Sequence, residues 1–239
     1  MTQRTALVLG GTSGVGLATA RQLRVRGALV HIASRDKRKL DAIAATDVDL
    51  TGHQADATDP AALNELVDAI GPIDWLVVTL SGSEGVGPVA DLDLAALRRA
   101  FDAKFWPYLA AVQAILPRLT ADGSITLVSA VTARQGMPGT AGISALNAAV
   151  EGLVRPLAVE LAPVRVNAVS PGFVDTPWWS AMPEDARREY FAEAATKLPN
   201  RRIATAADVA EAVVLAVTNP NITGTVLETD GGSRLVSMA

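Results

Sequence analysis

Residues 5–16 read Thr-Ala-Leu-Val-Leu-Gly-Gly-Thr-Ser-Gly-Val-Gly, an apolar run that leads directly into a glycine-rich turn. The apolar run predicts a buried strand, and the apolar residues Val15 and Leu17 open a helix. Glycines without Cβ atoms let the backbone approach a pyrophosphate, whose charge then lies at the helix N-terminus. A tight strand-to-helix turn without a ligand is the alternative. The order of strand, glycines and helix favours a dinucleotide site, with candidate contacts at Gly10, Thr12, Ser13, Gly14, Val15 and Gly16.

Short apolar runs alternate with longer helix-like segments along the rest of the chain. The apolar runs span residues 5–9, 28–34, 76–79, 125–129, 164–169 and 225–229. Segments 94–116 and 144–161 have helical spacing. Apolar strands that alternate with helices indicate a parallel sheet covered on both faces. Right-handed crossovers then predict an α/β fold, a single Rossmann-type doubly wound sheet of seven strands with helices on both faces.

The composition limits the classes of function that the chain supports. With 239 residues, 49% of them hydrophobic, and no linker-like segment, we expect one domain over residues 1–239. The absence of cysteine excludes disulfides, and two separate histidines offer no metal cluster, so we predict no metal. A net charge of −4 and apolar runs of strand length argue against nucleic-acid and membrane partners. The start at Met1 lacks a signal-peptide pattern, so we expect a cytoplasmic protein.

The end of the second predicted strand bears on the choice of cofactor. Dinucleotide sites meet the adenosine ribose about twenty residues after the glycines, where this chain has Ser34 and Arg35. An acidic side chain in the place of Ser34 would pair with a free 2′-hydroxyl, whereas the Arg35 guanidinium suits a 2′-phosphate. We therefore predict NADP(H). The alternative is that Arg35, which is followed by Asp36, simply begins a solvated helix.

The glycine turn and several later segments resemble the short-chain dehydrogenase/reductase family. Residues 9–16 match its glycine fingerprint, with Leu9 in place of threonine, and residues 166–167, 170–176 and 230–232 match its later signatures. The resemblance is collinear over essentially the whole chain. It implies the same fold and a dinucleotide-dependent oxidoreductase.

The resemblance implies further cofactor contacts. In the family, the segment after the sixth strand orients the nicotinamide, and this chain has there Pro171, Gly172, Val174 and Thr176. Asp56 fits the position whose side chain meets the adenine edge, although a cap for the helix near residues 59–60 is an alternative. Groups that orient the nicotinamide favour redox use of the dinucleotide, because a sensor needs only the adenosine end.

The catalytic positions implied by the same alignment carry unusual residues. The family's serine position is Ala130, its tyrosine position is Ile143 and its lysine position is Asn147. In the preceding long helix, the position of the catalytic asparagine is Lys104. The usual proton donor is therefore missing, whereas hydride transfer to a carbonyl normally requires an acid. The alignment predicts an atypical member of the family.

Lysine and asparagine are exchanged between two helices that face one pocket in the family. We therefore expect the Lys104 ammonium to lie near Asn147 and the nicotinamide ribose, where it supplies the charge of the usual lysine. The alternative is that Lys104 runs along the helix surface into water. Lys104 or an ordered water is the preferred proton source, and Ser129 is a further candidate catalytic residue. Tyr108 is expected to have a packing role.

Half of the chain's ten aromatic residues lie between positions 173 and 191. They fall in or beside segment 176–199, which resembles the family's substrate lid. An apolar pocket over a hydrophobic or ring-shaped substrate is the favoured interpretation, and a satellite core or an oligomer contact is the alternative. The candidate substrate contacts are Trp178, Trp179 and Tyr190. Small and apolar residues on the helices near 101–116 and 145–161 favour a homodimer or homotetramer.

Three functions remain open at this point. We favour an NADP(H)-dependent oxidoreductase with a non-standard active site, acting on a small molecule that has a hydrophobic carbonyl or a conjugated double bond. The first alternative is a non-redox enzyme on the same scaffold, such as a cyclase, isomerase or dehydratase. The second is a non-catalytic NADP-binding sensor. The fold does not separate them, because function resides in the site and not in the scaffold.

Overall fold

The computed structural model describes residues 3–82 and 84–237 and places a large parallel sheet at the centre of the fold. The strands are β1 (Thr5–Leu9), β2 (Leu29–Ser34), β3 (Leu50–Gln54), β4 (Ile73–Val78), β5 (Leu119–Val128), β6 (Arg165–Pro171), β7 (Val174–Asp175), β8 (Ala204–Thr205) and β9 (Val226–Thr229). Within the described residues, the large sheet has seven parallel strands in the order β3-β2-β1-β4-β5-β6-β9, and β7 pairs with β8. The predicted α/β, doubly wound Rossmann-type fold is confirmed. Both ends of the expected domain at 1–239 lie outside the described residues.

The strand order reverses beside β1. The chain runs outward from β1 to β3 and then returns to place β4 on the other side of β1. In open parallel sheets, ligands bind at the carboxyl ends of the strands at such a switch point. Gly10 follows β1 and Thr79 follows β4, and the Thr79 N–H donates to the Leu9 carbonyl at 3.0 Å. The glycine-rich turn therefore lies at the crevice that the topology marks as a ligand site.

Two strands are longer than their apolar runs predict. β4 begins at Ile73 and not at residue 76, and β5 begins at Leu119 and not at residue 125. The register between these strands shifts between Ile73 and Trp75, and the first four residues of β5 are partly or fully exposed. Apolar patterning misses the beginning of β5, because exposed residues give no continuous apolar run.

Helices cover both faces of the sheet. They are α1 (Gly14–Val25), α2 (Lys37–Thr46), α3 (Pro60–Ile70), α4 (Leu94–Ala103), α5 (Phe105–Ile115), α6 (Ala141–Gly152), α7 (Val154–Glu160), α8 (Glu184–Lys197) and α9 (Ala206–Thr218). Leu63 of α3, Tyr108 of α5 and Val150 of α6 pack on one face. Leu23 of α1 and Val213 of α9 pack on the other, and burial on both faces explains the continuous apolar strands. In the described part of the chain, none of the helices is long and apolar enough to cross a membrane.

Two predicted helices, 94–116 and 144–161, are each interrupted three residues before a proline. The interruptions fall at Lys104, before Pro107, and at Leu153, before Pro156. A proline has no N–H to donate to the carbonyl four residues earlier. The carbonyls that lose this bond are those of Ala103 and Gly152, the last residues of α4 and α6. Lys104 leaves the helical range, with φ of −128° and ψ of −65°. The prediction of single helices is wrong here, because the apolar spacing continues across both breaks.

The two histidines, which are 22 residues apart in the sequence, meet on neighbouring strands. His31 Nδ1 of β2 and His53 Nε2 of β3 are 2.8 Å apart. Burial lowers the pKa of both rings, and His53 lowers the pKa of His31 further. The folded protein therefore favours the neutral form of the pair. Over residues 3–82 and 84–237, no group of three or more acidic or histidine side chains is placed to hold a metal ion.

Candidate active site

The turn between β1 and α1 is tight enough to require glycine. Gly10 has a φ of +83°, and a Cβ on Gly16 would lie 2.3 Å from the Gly10 carbonyl oxygen. Ser13 is the N-cap residue of α1, but its side chain makes no capping hydrogen bond to the described residues. Thr12 lies in the turn and Val15 in the first helical turn, which has no acidic residue. The first N–H groups of α1 are therefore available to an anion such as a phosphate.

The segment after β6 lies against this turn. A Cβ on Gly14 would be 3.4 Å from the Thr176 Cβ, so the two residues are neighbours. Pro171 ends β6, Gly172 donates its N–H to the end of β9 at 3.3 Å, and Val174 is buried. The fold thus brings the predicted pyrophosphate and nicotinamide contacts to one crevice.

The adenosine end of the crevice carries a cation without a partner. Arg35 is exposed, and its guanidinium makes no hydrogen bond or ion pair with another described residue. The Ser34 Oγ accepts a hydrogen bond from the Asp36 N–H at 3.2 Å. The Asp36 carboxylate caps α2 by accepting from the Arg38 N–H at 3.0 Å. Asp36 is thus engaged with the helix, whereas the Arg35 guanidinium is exposed.

Asp56 follows β3 and is held in a local turn. Its carboxylate accepts from the Thr58 N–H at 2.9 Å and from the Thr58 hydroxyl at 2.8 Å. The backbone bond is the main cause of the lowered pKa of Asp56, and the charge of Arg35 adds to it. The helix α3 is capped by Asp59, which accepts from the Ala61 N–H at 2.9 Å. The alternative of Asp56 as the cap is therefore wrong.

Lys104 and Asn147 are in direct contact. The Lys104 Nζ donates to the Asn147 Oδ1 at 2.7 Å, and only 7% of Lys104 and 2% of Asn147 are exposed. The Asn147 Nδ2 donates to the Thr132 hydroxyl and to the Ile143 carbonyl, each at 3.0 Å. The alternative of a lysine that runs along the helix surface is wrong. Lys104 is the residue at the break between α4 and α5.

Burial also determines the charge state of Lys104. Removal from water lowers its pKa to about 8, against an opposing effect of the Glu151 carboxylate. Its Nζ lies 5.7 Å from the centre of the Tyr108 ring, close enough for a cation–π contact. A lysine with a pKa near 8 exchanges its proton near neutral pH, which is the property that a general acid needs.

Tyr108 itself is fully buried below this lysine. Its hydroxyl lies 2.8 Å from the Val128 carbonyl oxygen and 3.0 Å from that of Leu80. Burial raises the pKa of the phenol well above its usual range. Tyr108 therefore packs and ties two strand ends together, and it is a poor proton donor.

The Ser129 hydroxyl binds to a carboxylate and not to Lys104. Its hydroxyl donates to the Glu151 Oε1 at 2.7 Å, and the Glu151 Oε2 accepts from Arg134 at 2.8 Å. Within the described residues, the Ser129 hydroxyl makes no hydrogen bond to Lys104 or Asn147. Ala130 and Ile143, predicted at the serine and tyrosine positions of the family, have no side-chain proton to donate.

Two residues of this site carried no strong signal in the sequence. Glu151 follows Asn147 by one turn of α6, a spacing that places both on one face of the helix. Thr132 lies in a short 3-10 turn after β5, and the direction of its side chain depends on that turn. The helical spacing offers a signal for Glu151, and Thr132 lies two residues after Ala130, the predicted serine position.

The aromatic residues of segment 176–199 form one cluster with Phe173. Trp179 contacts four other rings at centroid distances of 4.7 to 6.5 Å, which are those of Phe173, Trp178, Tyr190 and Phe191. The Trp179 Nε1 donates to the Val174 carbonyl at 3.1 Å, and the Trp178 Nε1 donates to the Gly82 carbonyl at 3.0 Å. Trp178 and Tyr190 remain exposed. The cluster therefore has its own packing and also connects to the loop after β4.

A cleft of about 510 Å³ opens beside Thr132. Its wall includes the apolar side chains of Val89 and Met137 and the polar side chains of Thr132, Thr140 and Ser144. Thr132 links this cleft to the buried pair, because its hydroxyl accepts the hydrogen bond from Asn147. The cleft and the buried lysine are thus joined by two successive hydrogen bonds.

Comparison with known proteins assigns the chain to a family. The family described as enoyl-(acyl carrier protein) reductase matches residues 10–234. The chain is 34% identical to the cis-4-hydroxycyclohexanecarboxylate dehydrogenase of Sinomonas cyclohexanicum over 250 residues, covering 98% of each chain. It is also 34% identical to the short-chain dehydrogenase/reductase malC of Malbranchea aurantiaca, covering 97% of this chain and 95% of the relative.

The solved structures agree with this assignment. A small-chain dehydrogenase in complex with NADPH superposes with a TM-score of 0.86 at 36% identity, covering 98% of this chain and 100% of the other. The chain therefore belongs to the short-chain dehydrogenase/reductase family, and the prediction of an oxidoreductase is confirmed at the level of the class.

Proposed function

We propose that this protein is an NADP(H)-dependent oxidoreductase whose reaction centre is built on Lys104 and Asn147. The observation that carries the proposal is the buried Lys104 ammonium, 2.7 Å from the Asn147 Oδ1. Its pKa of about 8 gives it an exchangeable proton where the family's usual serine and tyrosine positions carry Ala130 and Ile143. On this account the active site is non-standard, and a lysine performs the acid role.

The residues of the crevice fit an NADP(H) molecule. The uncapped N-terminus of α1 suits the pyrophosphate, and the unpartnered Arg35 suits a 2′-phosphate. Asp56 at the adenine end and the segment from Pro171 to Thr176 at the nicotinamide end complete the predicted set. The related structure in complex with NADPH supports the same cofactor for this chain.

The reaction that fits this centre is the reduction of a carbonyl or of a conjugated double bond. Bound NADPH would supply the hydride to carbon, and a residue of this chain must supply a proton to the oxygen, or to the second carbon of the double bond. Lys104 holds that proton, and Asn147 orients the ammonium through its Oδ1. The segment 176–199, with Trp178, Trp179 and Tyr190, serves as an apolar lid over the small-molecule substrate. Ser129 affects the reaction centre only through its hydrogen bond to Glu151. The predicted assembly is a homodimer or homotetramer.

A second candidate is a non-redox reaction on the same scaffold. The observation that favours it is the similarity to malC, because a solved structure of MalC from Malbranchea aurantiaca is described as a reductase and Diels-Alderase. In that case Lys104 and Asn147 polarise a substrate, and the dinucleotide is not consumed. A cyclase, isomerase or dehydratase shows product formation without a change in NADPH absorbance.

Turnover of NADPH with a panel of hydrophobic ketones and enones tests the proposal. The Lys104→Met variant keeps the length of the side chain and removes its charge. We expect kcat to fall by about 100-fold or more, with unchanged binding of NADPH, because a positioned acid contributes about this much. The matched control is Lys39→Met on the exposed surface of α2, which should retain activity. Full activity of the Lys104→Met variant contradicts the assigned role, and product without NADPH oxidation favours the second candidate.

A further inference from the structure

The hydroxyl groups that line the cleft beside Thr132 differ in whether they donate a hydrogen bond within the protein. Among the described residues that line it, three carry hydroxyls: Thr132, Thr140 and Ser144. The Thr140 hydroxyl donates to the Met137 carbonyl at 2.7 Å. The Ser144 hydroxyl donates to the Thr140 hydroxyl at 3.3 Å. Since a hydroxyl has one proton, these two donors are already committed within the protein.

The Thr132 hydroxyl differs, because it acts as an acceptor within the protein. It accepts from the Asn147 Nδ2 at 3.0 Å, and its own proton meets no acceptor among the residues that the structure describes. Asn147 in turn accepts from Lys104, so the orientation of the hydroxyl is linked to the proposed reaction centre. Thr132 thus offers an unused donor on the wall of the cleft.

The charge of the cleft restricts what this donor meets. Arg134 is the charged residue among the described lining residues, and it is paired with Glu151 at 2.8 Å and with Glu228 at 2.9 Å. A cation held by two carboxylates has little attraction left for an anionic ligand. The remaining wall contains apolar Val89 and Met137. The cleft therefore suits an uncharged molecule better than a carboxylate.

We propose that the Thr132 hydroxyl donates a hydrogen bond to the carbonyl oxygen of a neutral substrate that occupies this cleft. The inference rests on the proposed oxidoreductase function and specifies its substrate class. In this arrangement Asn147 fixes the acceptor side of the hydroxyl, and the free proton is directed to the substrate. Thr132 then supplies the oxygen-binding donor that Ala130 lacks.

Substitutions at Thr132 test the inference. Thr132→Val removes the hydroxyl at nearly constant shape, and we expect kcat/KM for a neutral ketone or enone to fall by about 100-fold. The Thr132→Ser variant keeps the donor and should recover most of the activity. A purely structural role of the hydroxyl at Asn147 also predicts this recovery. The two roles are distinguished by measuring kcat and NADPH binding separately. We expect NADPH binding to be unchanged in both variants. Thr218→Val on α9 removes a hydroxyl outside the cleft whose proton is committed to the Val214 carbonyl, and it should cost less than about threefold.

The choice of substrate supplies a second, independent readout. The wild-type protein should convert a neutral ketone in preference to a keto acid of similar size. The Thr132→Val substitution should lower kcat/KM for the neutral ketone more than for the keto acid. Unchanged kcat/KM in Thr132→Val, or a preference for the keto acid, overturns the assignment of Thr132 while leaving the proposed function in place. Absence of NADPH-dependent turnover in the wild-type protein with every carbonyl and enone overturns both.

Discussion

At the scale of single residues, Arg35 and Asp36 show how neighbouring charges take different tasks. Asp36 is occupied by the N-terminus of α2, whereas Arg35 has no hydrogen-bond or ion-pair partner among the described residues. The Asp36 carboxylate also lies 3.8 Å from the Arg38 Nε, and among the described residues it makes no hydrogen bond or ion pair with Arg35. We therefore expect Arg35 to be the residue that favours NADPH over NADH.

The Arg35→Ala variant tests this role. We expect its affinity for NADPH to fall by about tenfold or more, because a charge-assisted hydrogen bond to the 2′-phosphate is lost. Its affinity for NADH should stay nearly unchanged. Titration of both cofactors by fluorescence measures the two values, and Arg38→Ala, whose side chain is 95% exposed, serves as the matched control. Equal losses for both cofactors contradict a phosphate contact.

Some contacts of single residues were predictable from the sequence, and others were not. The contact between Lys104 and Asn147 was predictable, because two helices face one pocket and the residue types are exchanged between them. The partner of Ser129 was not, because a side chain just beyond a strand takes its direction from the following turn. Asp56 illustrates the same limit, since its local turn with Thr58 leaves the capping of α3 to Asp59.

At the scale of elements, the break between α4 and α5 positions the proposed acid. Pro107 cannot donate to the Ala103 carbonyl, and the chain leaves the helical path at Lys104. The apolar spacing of segment 94–116 gave no sign of this break, but Pro107 in the sequence is a sufficient signal for it. The same reasoning applies to Pro156 and the milder break at Leu153, where the backbone stays in the helical range.

The Pro107→Ala variant should therefore impair the reaction without unfolding the protein. Alanine restores the missing N–H and lets α4 continue into α5, which moves Lys104 away from Asn147. We expect kcat to fall by about 10- to 100-fold, as small misplacements of a catalytic group do. Pro156→Ala removes the corresponding proline of α7 and is the matched control. Steady-state kinetics together with circular dichroism give the comparison, and equal activities of the two variants would count against the positioning role of the break.

At the scale of the whole molecule, the sheet was predictable because its central strands β1, β4 and β6 are buried on both faces. Continuous apolar runs and alternating helices leave few arrangements other than a doubly wound parallel sheet. The exposed beginning of β5 escaped this pattern, because its first four residues are partly or fully exposed and form no apolar run. The contact of Trp178 with Gly82 joins residues 96 positions apart, and no local pattern encodes such a distance.

The histidine pair makes the stability of the fold depend on pH. His31 and His53 have folded-state pKa values below their ordinary value, so the unfolded chain takes up protons more readily. Stability is therefore full above about pH 6.5, the ordinary value, and falls as the pH drops through the lowered folded-state values. Thermal unfolding between pH 8 and pH 5 measures this trend. The variant His53→Gln should lose less stability over the same range, and an identical decrease would argue against the pair as its source.

In the proposed mechanism, the protonation of Lys104 sets the pH range of the reaction. Reduction needs the protonated amine, so kcat/KM should be constant at lower pH and decline above about pH 8. The Glu151 carboxylate raises the pKa of Lys104 against the effect of burial. Loss of that carboxylate should therefore move the decline to lower pH.

The most direct measurement is the pH profile of kcat/KM for NADPH-dependent reduction in the wild-type protein, Glu151→Gln and Lys104→Met. The account predicts a decline centred near pH 8 in the wild type, a shift of that decline to lower pH in Glu151→Gln, and its loss from the low residual activity of Lys104→Met. A profile with the same midpoint in all three proteins would contradict the assignment of Lys104 as the proton donor.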